Sequence, residues 1–79
     1  MFEERVVLGN GFCMEVVFRS AEDYRLSCRK GNNLLVDYKR DGKRHRMVAC
    51  GRASVYEFKS VEKLRYEFER DAQDAQRQG

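Results

Sequence analysis

The sequence predicts an α+β domain, in which a four- or five-stranded antiparallel meander sheet precedes one C-terminal helix packed on one face. Apolar and polar residues alternate over most of the first 50 positions, which is typical of half-buried strands. Segments rich in glycine and asparagine separate these runs, as expected for hairpin turns. The last 20 residues change to helical spacing. With only 79 residues, the chain is predicted to form a single small domain, residues 1–79.

The hairpin from Leu34 to Ala49 assigns the two faces of the sheet. Asp41-Gly42 accepts positive φ, so it favours a two-residue type I′ turn. This turn predicts that Tyr38 lies opposite His45. The face directed toward the core then holds Leu34, Val36, Tyr38, His45, Met47 and Ala49. The opposite face holds Leu35, Asp37, Lys39, Arg44, Arg46 and Val48.

The first hairpin is predicted to turn through a three-residue loop, Gly9-Asn10-Gly11. This length pairs Val6 with Met14 and Arg5 with Glu15, so that apolar residues meet and opposite charges meet. A two-residue loop would instead place Arg5 on the apolar face.

The third strand is predicted from Tyr24 to Lys30 and is followed by the turn Gly31-Asn32-Asn33. An odd-length loop there places Cys28 opposite Val36 and keeps the apolar face continuous. A two-residue loop would direct Arg29 into the core, so the odd length is favoured.

Beyond the hairpin, Gly51 is predicted to mark a bulge or bend. Two alternatives stay open for Ala53 to Phe58, which either continues the same bent strand or forms a short fifth strand. Ser60 is the predicted N-cap of the helix. The apolar stripe of that helix is Val61, Leu64, Phe68, Ala72 and Ala75. Residues 76–79 are expected to fray.

The positive charge is concentrated in the middle of the chain. Residues 24–52 contain nine basic and two acidic residues, a net +7, whereas the flanking segments carry −3 and −1. The sequence contains no run of apolar residues long enough to cross a membrane, and Met1 is followed by charged residues, so a cytoplasmic location is expected. The widely spaced Cys13, Cys28 and Cys50 are expected to be reduced thiols there.

Catalysis is disfavoured, and the protein is predicted not to be an enzyme. His45 is the only histidine, and we predict a partly buried imidazole that is hydrogen-bonded to a neighbour, beside Tyr38. No Cys/His pair has the spacing of metal ligands, and no glycine-rich loop precedes a helix as a phosphate site requires. We therefore predict no metal and no cofactor.

Basic residues of the sheet and hairpin, with one tyrosine of the helix, are the candidate partner-binding residues. These are Arg25, Arg29, Lys39, Arg40, Lys43, Arg44, Arg46 and Tyr66. The predicted outward sheet face offers no aromatic side chain for stacking on bases, so an acidic protein surface is favoured over direct nucleic-acid binding.

The junction Phe58-Lys59-Ser60-Val61-Glu62-Lys63-Leu64, followed by Phe68, resembles a strand-to-helix junction of small phage-encoded anti-CRISPR proteins. Asp41-Gly42-Lys43 is similar to a basic turn of the same proteins. The resemblance implies a non-enzymatic inhibitor or adaptor of phage or mobile-element type, docking on a nucleic-acid-handling protein complex. The alternative is a direct, sequence-tolerant DNA- or RNA-binding protein.

Overall fold

The structure is a computed structural model that describes residues 2–41, 43–49 and 51–78. These residues form six antiparallel strands and one helix, and the strands lie in the sheet in chain order. The bounds are β1 Phe2–Val7, β2 Phe12–Ser20, β3 Asp23–Lys30, β4 Asn33–Asp41, β5 Arg44–Ala49, β6 Arg52–Val55 and α1 Val61–Gln78. The predicted α+β class, the antiparallel meander and the C-terminal helix are confirmed.

The predicted number of strands, four or five, is wrong. Both arms of the central hairpin are separate strands, and a further strand follows them. Gly51 has a φ of 78°, a left-handed conformation in which glycine is favoured, and the chain reverses direction there instead of bending. Arg52–Val55 consequently pairs with β5, and only residues 56–60 connect it to the helix.

The first hairpin has the predicted register. Val6 lies opposite Met14 and Arg5 opposite Glu15. The Leu8 N–H donates a hydrogen bond of 2.8 Å to the Phe12 carbonyl across the three-residue loop. This hairpin therefore places apolar side chains against each other on the core face, as the sequence predicted.

A β-bulge sets the pairing between β3 and β4. Cys28 lies opposite Val36 as predicted, but the turn has two residues, since Lys30 pairs with Asn33. The extra residue is accommodated within β4, where the next pair is Arg29 with Leu34. The prediction for the two leucines is therefore wrong. Leu34 shares a face with Arg29 and is exposed, whereas its neighbour Leu35 packs against the core.

The register between β4 and β5 differs from the prediction by two residues. Tyr38 lies opposite Met47, and His45 lies opposite Arg40. Because side chains alternate with a period of two, this shift by itself moves no residue to the other face, and only the bulge exchanges Leu34 and Leu35. The predicted type I′ turn involves Gly42, which lies outside the described residues.

Helix α1 closes the core over the centre of the sheet. The Lys63 N–H donates to Ser60 Oγ at 3.1 Å, which confirms the predicted N-cap. Four of the five predicted stripe residues are buried, namely Leu64, Phe68, Ala72 and Ala75, while Val61 is half-buried. The helix continues to Gln78, and fraying over 76–79 stays a prediction.

Tyr38 of β4 and Tyr56, which directly follows β6, bind acidic side chains of the helix. The buried Tyr38 hydroxyl donates to Asp71 Oδ2, and the Tyr56 hydroxyl donates to Glu67 Oε1 at 3.3 Å. Burial, with a further contribution from Glu67, raises the pKa of Tyr56 to about 12. Burial and the Asp71 carboxylate likewise raise the pKa of Tyr38 well above its usual value. Both phenols therefore stay protonated and keep the helix in register on the sheet.

Candidate docking surface

The helix covers one face of the sheet, and we call the opposite one the outer face. Strand alternation directs most of the basic residues of the sheet to the outer face, because their neighbours in sequence fill the core. The basic residues that the strand registers place on the outer face are Arg5, Arg25, Arg29, Lys39, Arg44 and Arg46.

Three of these cations form a line across three adjacent strands. Arg25 on β3 lies opposite Lys39 on β4, which lies opposite Arg46 on β5. We call Arg25, Lys39 and Arg46 the cationic row. Adjacent strands are about 4.8 Å apart, and like charges directly opposite each other destabilise a sheet. The row therefore concentrates positive charge on three adjacent strands of the outer face.

A buried carboxylate anchors one end of the cationic row. Arg25 Nε donates to Asp37 Oδ1 at 3.3 Å, and the Asp37 side chain is only 5% exposed although it lies on the outer face. Its neighbour on β3, Ser27, is buried as well. The ion pair with Asp37 therefore holds the Arg25 side chain in place, beside two buried polar side chains.

The same outer face also exposes aliphatic side chains. Val55 is 75% exposed and lies opposite Arg46, directly beyond the end of the cationic row. Val7 is 77% exposed, and Leu34 is 41% exposed as a result of the bulge. Among the paired residues that the structure describes on the outer face, none is aromatic. The surface thus offers charge and aliphatic contact without stacking groups.

The structure brings together most, but not all, of the predicted partner-binding residues. Those on the outer face are Arg25, Arg29, Lys39, Arg44 and Arg46, and Lys43 is exposed in the adjoining turn. Arg40 lies on the core face, where Nη1 is 3.3 Å from His45 Nε2. Tyr66 is 66% exposed, but it belongs to the helix on the other side of the sheet. Sequence reasoning missed Val55, because four residues of β6 are too few to show alternation.

His45 is held neutral by its neighbours. Its Nδ1 is 2.7 Å from the Tyr24 hydroxyl, and its ring stacks on Phe58 with centroids 5.3 Å apart. A guanidinium can only donate, so Nε2 accepts from Arg40 and the proton resides on Nδ1. The predicted partly buried and hydrogen-bonded imidazole is confirmed, but its neighbour is Tyr24 rather than Tyr38.

Protein stability is expected to fall as His45 titrates. Burial and then the Arg40 charge lower the pKa of His45 below its usual value near 6.5. The unfolded chain binds the proton more readily, so the stabilising effect of the neutral ring is present above about pH 6.5 and is lost as the pH falls. Urea unfolding at pH 7.5, 6.5 and 5.5 should show a smaller advantage of the wild type over His45→Gln at each lower pH. Parallel pH profiles for the two proteins would contradict this expectation.

The remaining titratable groups include the thiols of two cysteines. Cys13 and Cys28 carry free thiols, and burial raises the pKa of Cys28. Cys50 lies outside the described residues. Within the described ranges, no group of three or more histidine, cysteine or acidic side chains is placed to hold a metal ion. A helix with the length and apolarity needed to cross a bilayer is likewise absent from the described part of the chain.

Comparison of the chain with protein-family models, with curated proteins and with solved structures finds no match. The resemblance of the strand-to-helix junction to anti-CRISPR proteins therefore stays a prediction.

Proposed function

We propose that the protein is a non-enzymatic binding protein that docks, through its outer face and basic hairpin, on an acidic surface of a nucleic-acid-handling protein complex. The observation that carries this proposal is the cationic row. The row concentrates positive charge on three adjacent strands of one exposed face, and an acidic surface is its electrostatic complement. The role that fits the resemblance at the strand-to-helix junction is that of an inhibitor or adaptor of phage or mobile-element type.

The composition of the outer face favours a protein partner over a nucleic acid. Arginine next to exposed aliphatic groups is typical of protein interfaces, and Val55 extends the cationic row with such a group. Binding to single-stranded nucleic acid usually adds aromatic side chains that stack on bases, and the described outer face has none. The cationic row alone could contact phosphates. Direct nucleic-acid binding is therefore the alternative that the experiments below must distinguish from the proposal.

The test of the proposal is charge reversal on the outer face. The variant Lys39→Glu/Arg44→Glu/Arg46→Glu is expected to weaken partner capture by about 30-fold or more, since each lost attraction becomes a repulsion. The matched control is Lys59→Glu/Lys63→Glu/Arg77→Glu, which changes net charge equally at exposed positions outside the outer face. Partners captured from lysate by the wild type and the control, but not by the reversal variant, would support the proposal. Equal capture by all three proteins would overturn it.

A salt titration with a 20-bp DNA duplex separates the two classes of partner. If the three cations of the row contact phosphates, log affinity should fall with log salt concentration with a slope of about −2.7. Under the protein-docking proposal, duplex DNA binds weakly at low salt and the reversal variant loses the protein partner. A duplex affinity that exceeds that for every captured protein would replace the proposal by the nucleic-acid alternative.

A further inference from the structure

We propose that the free edge of β6 accepts an acidic, extended peptide segment of the partner as a seventh strand. This inference rests on the proposed function, because it takes the partner to be an acidic protein. It adds the mode of recognition, namely strand addition, in which backbone hydrogen bonds supply affinity and alternate side chains supply specificity.

The orientation of the β6 backbone provides the hydrogen-bonding groups. The Tyr56 N–H donates to the His45 carbonyl at 2.9 Å, so these opposed residues form a hydrogen-bonded pair. Such pairs alternate with non-hydrogen-bonded pairs in an antiparallel ladder. Since Arg46 pairs with Val55 and Val48 with Ala53, the N–H and C=O groups of Ala53 and Val55 point toward the free edge. An incoming strand could therefore form up to about four backbone hydrogen bonds there.

The two outer strands of the sheet differ in their protection. On β1, the consecutive charged residues Glu3, Glu4 and Arg5 oppose the approach of another strand, as is common at sheet edges. On β6, all four residues are exposed, and the two whose backbone faces the edge carry only the side chains of alanine and valine. Of the two edges, β6 is therefore the one that is open to pairing.

The charges beside β6 define the chemistry of the incoming strand. An open groove of about 470 Å³ lies against β6 and is lined by Arg44, Arg46, Ala53, Ser54 and Val55. A strand added at this edge would direct every second side chain to the outer face, the same face of the sheet that carries these two arginines one strand further in. Carboxylates at alternate positions match that arrangement. The β6 strand of a second copy does not match it, because Arg52–Val55 contains no carboxylate.

The test uses a fluorescent ten-residue peptide that alternates glutamate with valine, and a control peptide with five glutamates followed by five valines. Anisotropy should show tighter binding of the alternating peptide. Val55→Pro removes one edge-facing N–H without affecting the β5 ladder and should weaken binding about tenfold, which equals about 1.4 kcal/mol. Val55→Thr keeps that N–H and should bind within about twofold of wild type. Arg44→Glu/Arg46→Glu should abolish binding.

Amide hydrogen exchange supplies a second measurement that requires no substitution. The amides of Ala53 and Val55 should exchange more slowly in the complex with the alternating peptide, because they become hydrogen-bonded. Unchanged exchange, no binding of the alternating peptide, or equal binding of the two peptides would overturn strand addition. If capture of partners from lysate is still lost in the charge-reversal variant, the proposed function stands without this inference. If capture is independent of those charges, both fail.

Discussion

Replacement of Phe68 by alanine is expected to lower the free energy of unfolding by about 3–5 kcal/mol, the largest effect of any single substitution proposed for this chain. Phe68 is fully buried, and its ring packs edge-to-face on Tyr38 at a centroid distance of 6.0 Å. Alanine would remove this contact and leave a cavity between the helix and the sheet. A domain of this size has a total stability of about 4–12 kcal/mol, so this loss would remove a large fraction of it.

Urea denaturation followed by circular dichroism measures this loss. Tyr66→Ala on the same helix is the matched control, because Tyr66 is 66% exposed and its removal should change stability by less than about 0.5 kcal/mol. The smallest loss expected for such a cavity is about 3 kcal/mol. A Phe68→Ala protein whose free energy of unfolding lies within about 1 kcal/mol of wild type would show that α1 does not pack as described.

Replacement of Tyr38 by phenylalanine is the second large effect, with an expected loss of about 1.5–3 kcal/mol. The substitution keeps the buried ring and removes only the hydroxyl that donates to Asp71. The Asp71 side chain is only 15% exposed, so its carboxylate would stay largely buried after losing this donor. Arg70 Nη2, 3.5 Å from Asp71 Oδ1, would remain beside it. Hydrogen bonds to charged groups are worth more than neutral ones, and the loss includes the desolvation of the carboxylate.

A double-mutant cycle isolates this hydrogen bond. The stability of Tyr38→Phe, Asp71→Asn and the double variant should give a coupling energy above about 0.5 kcal/mol. Tyr66→Phe removes an exposed hydroxyl and serves as the control with an expected change near zero. Additive effects at the two positions would show that the hydroxyl and the carboxylate do not interact in solution.

The alternation of apolar residues was sufficient to predict the outer face, but not the irregularities of the strands. The cations of the outer face were predicted because a register error of an even number of residues leaves each side chain on its face. The bulge in β4 could not be predicted, since Leu34 and Leu35 are both leucine and the pattern reads equally well with either one inside.

Contacts between distant side chains were beyond the reach of periodicity. The helix stripe and the Ser60 cap follow from local spacing, and both are confirmed. The hydrogen bond from Tyr38 to Asp71 depends on how the helix lies across the sheet, which no local pattern specifies. The β6 edge was missed for a related reason, because whether residues after Gly51 bend or reverse depends on one backbone angle.

The order of elements along the chain has a consequence for biosynthesis. Each strand pairs only with its neighbour in sequence, so the sheet can assemble hairpin by hairpin as the chain emerges from the ribosome. The apolar face of that sheet is covered by α1, whose 18 residues are made last and take about 1–4 s at common elongation rates. During this interval the nascent chain exposes Leu26, Val36 and Tyr38 to water. A chaperone that holds this face should therefore raise the yield of folded protein.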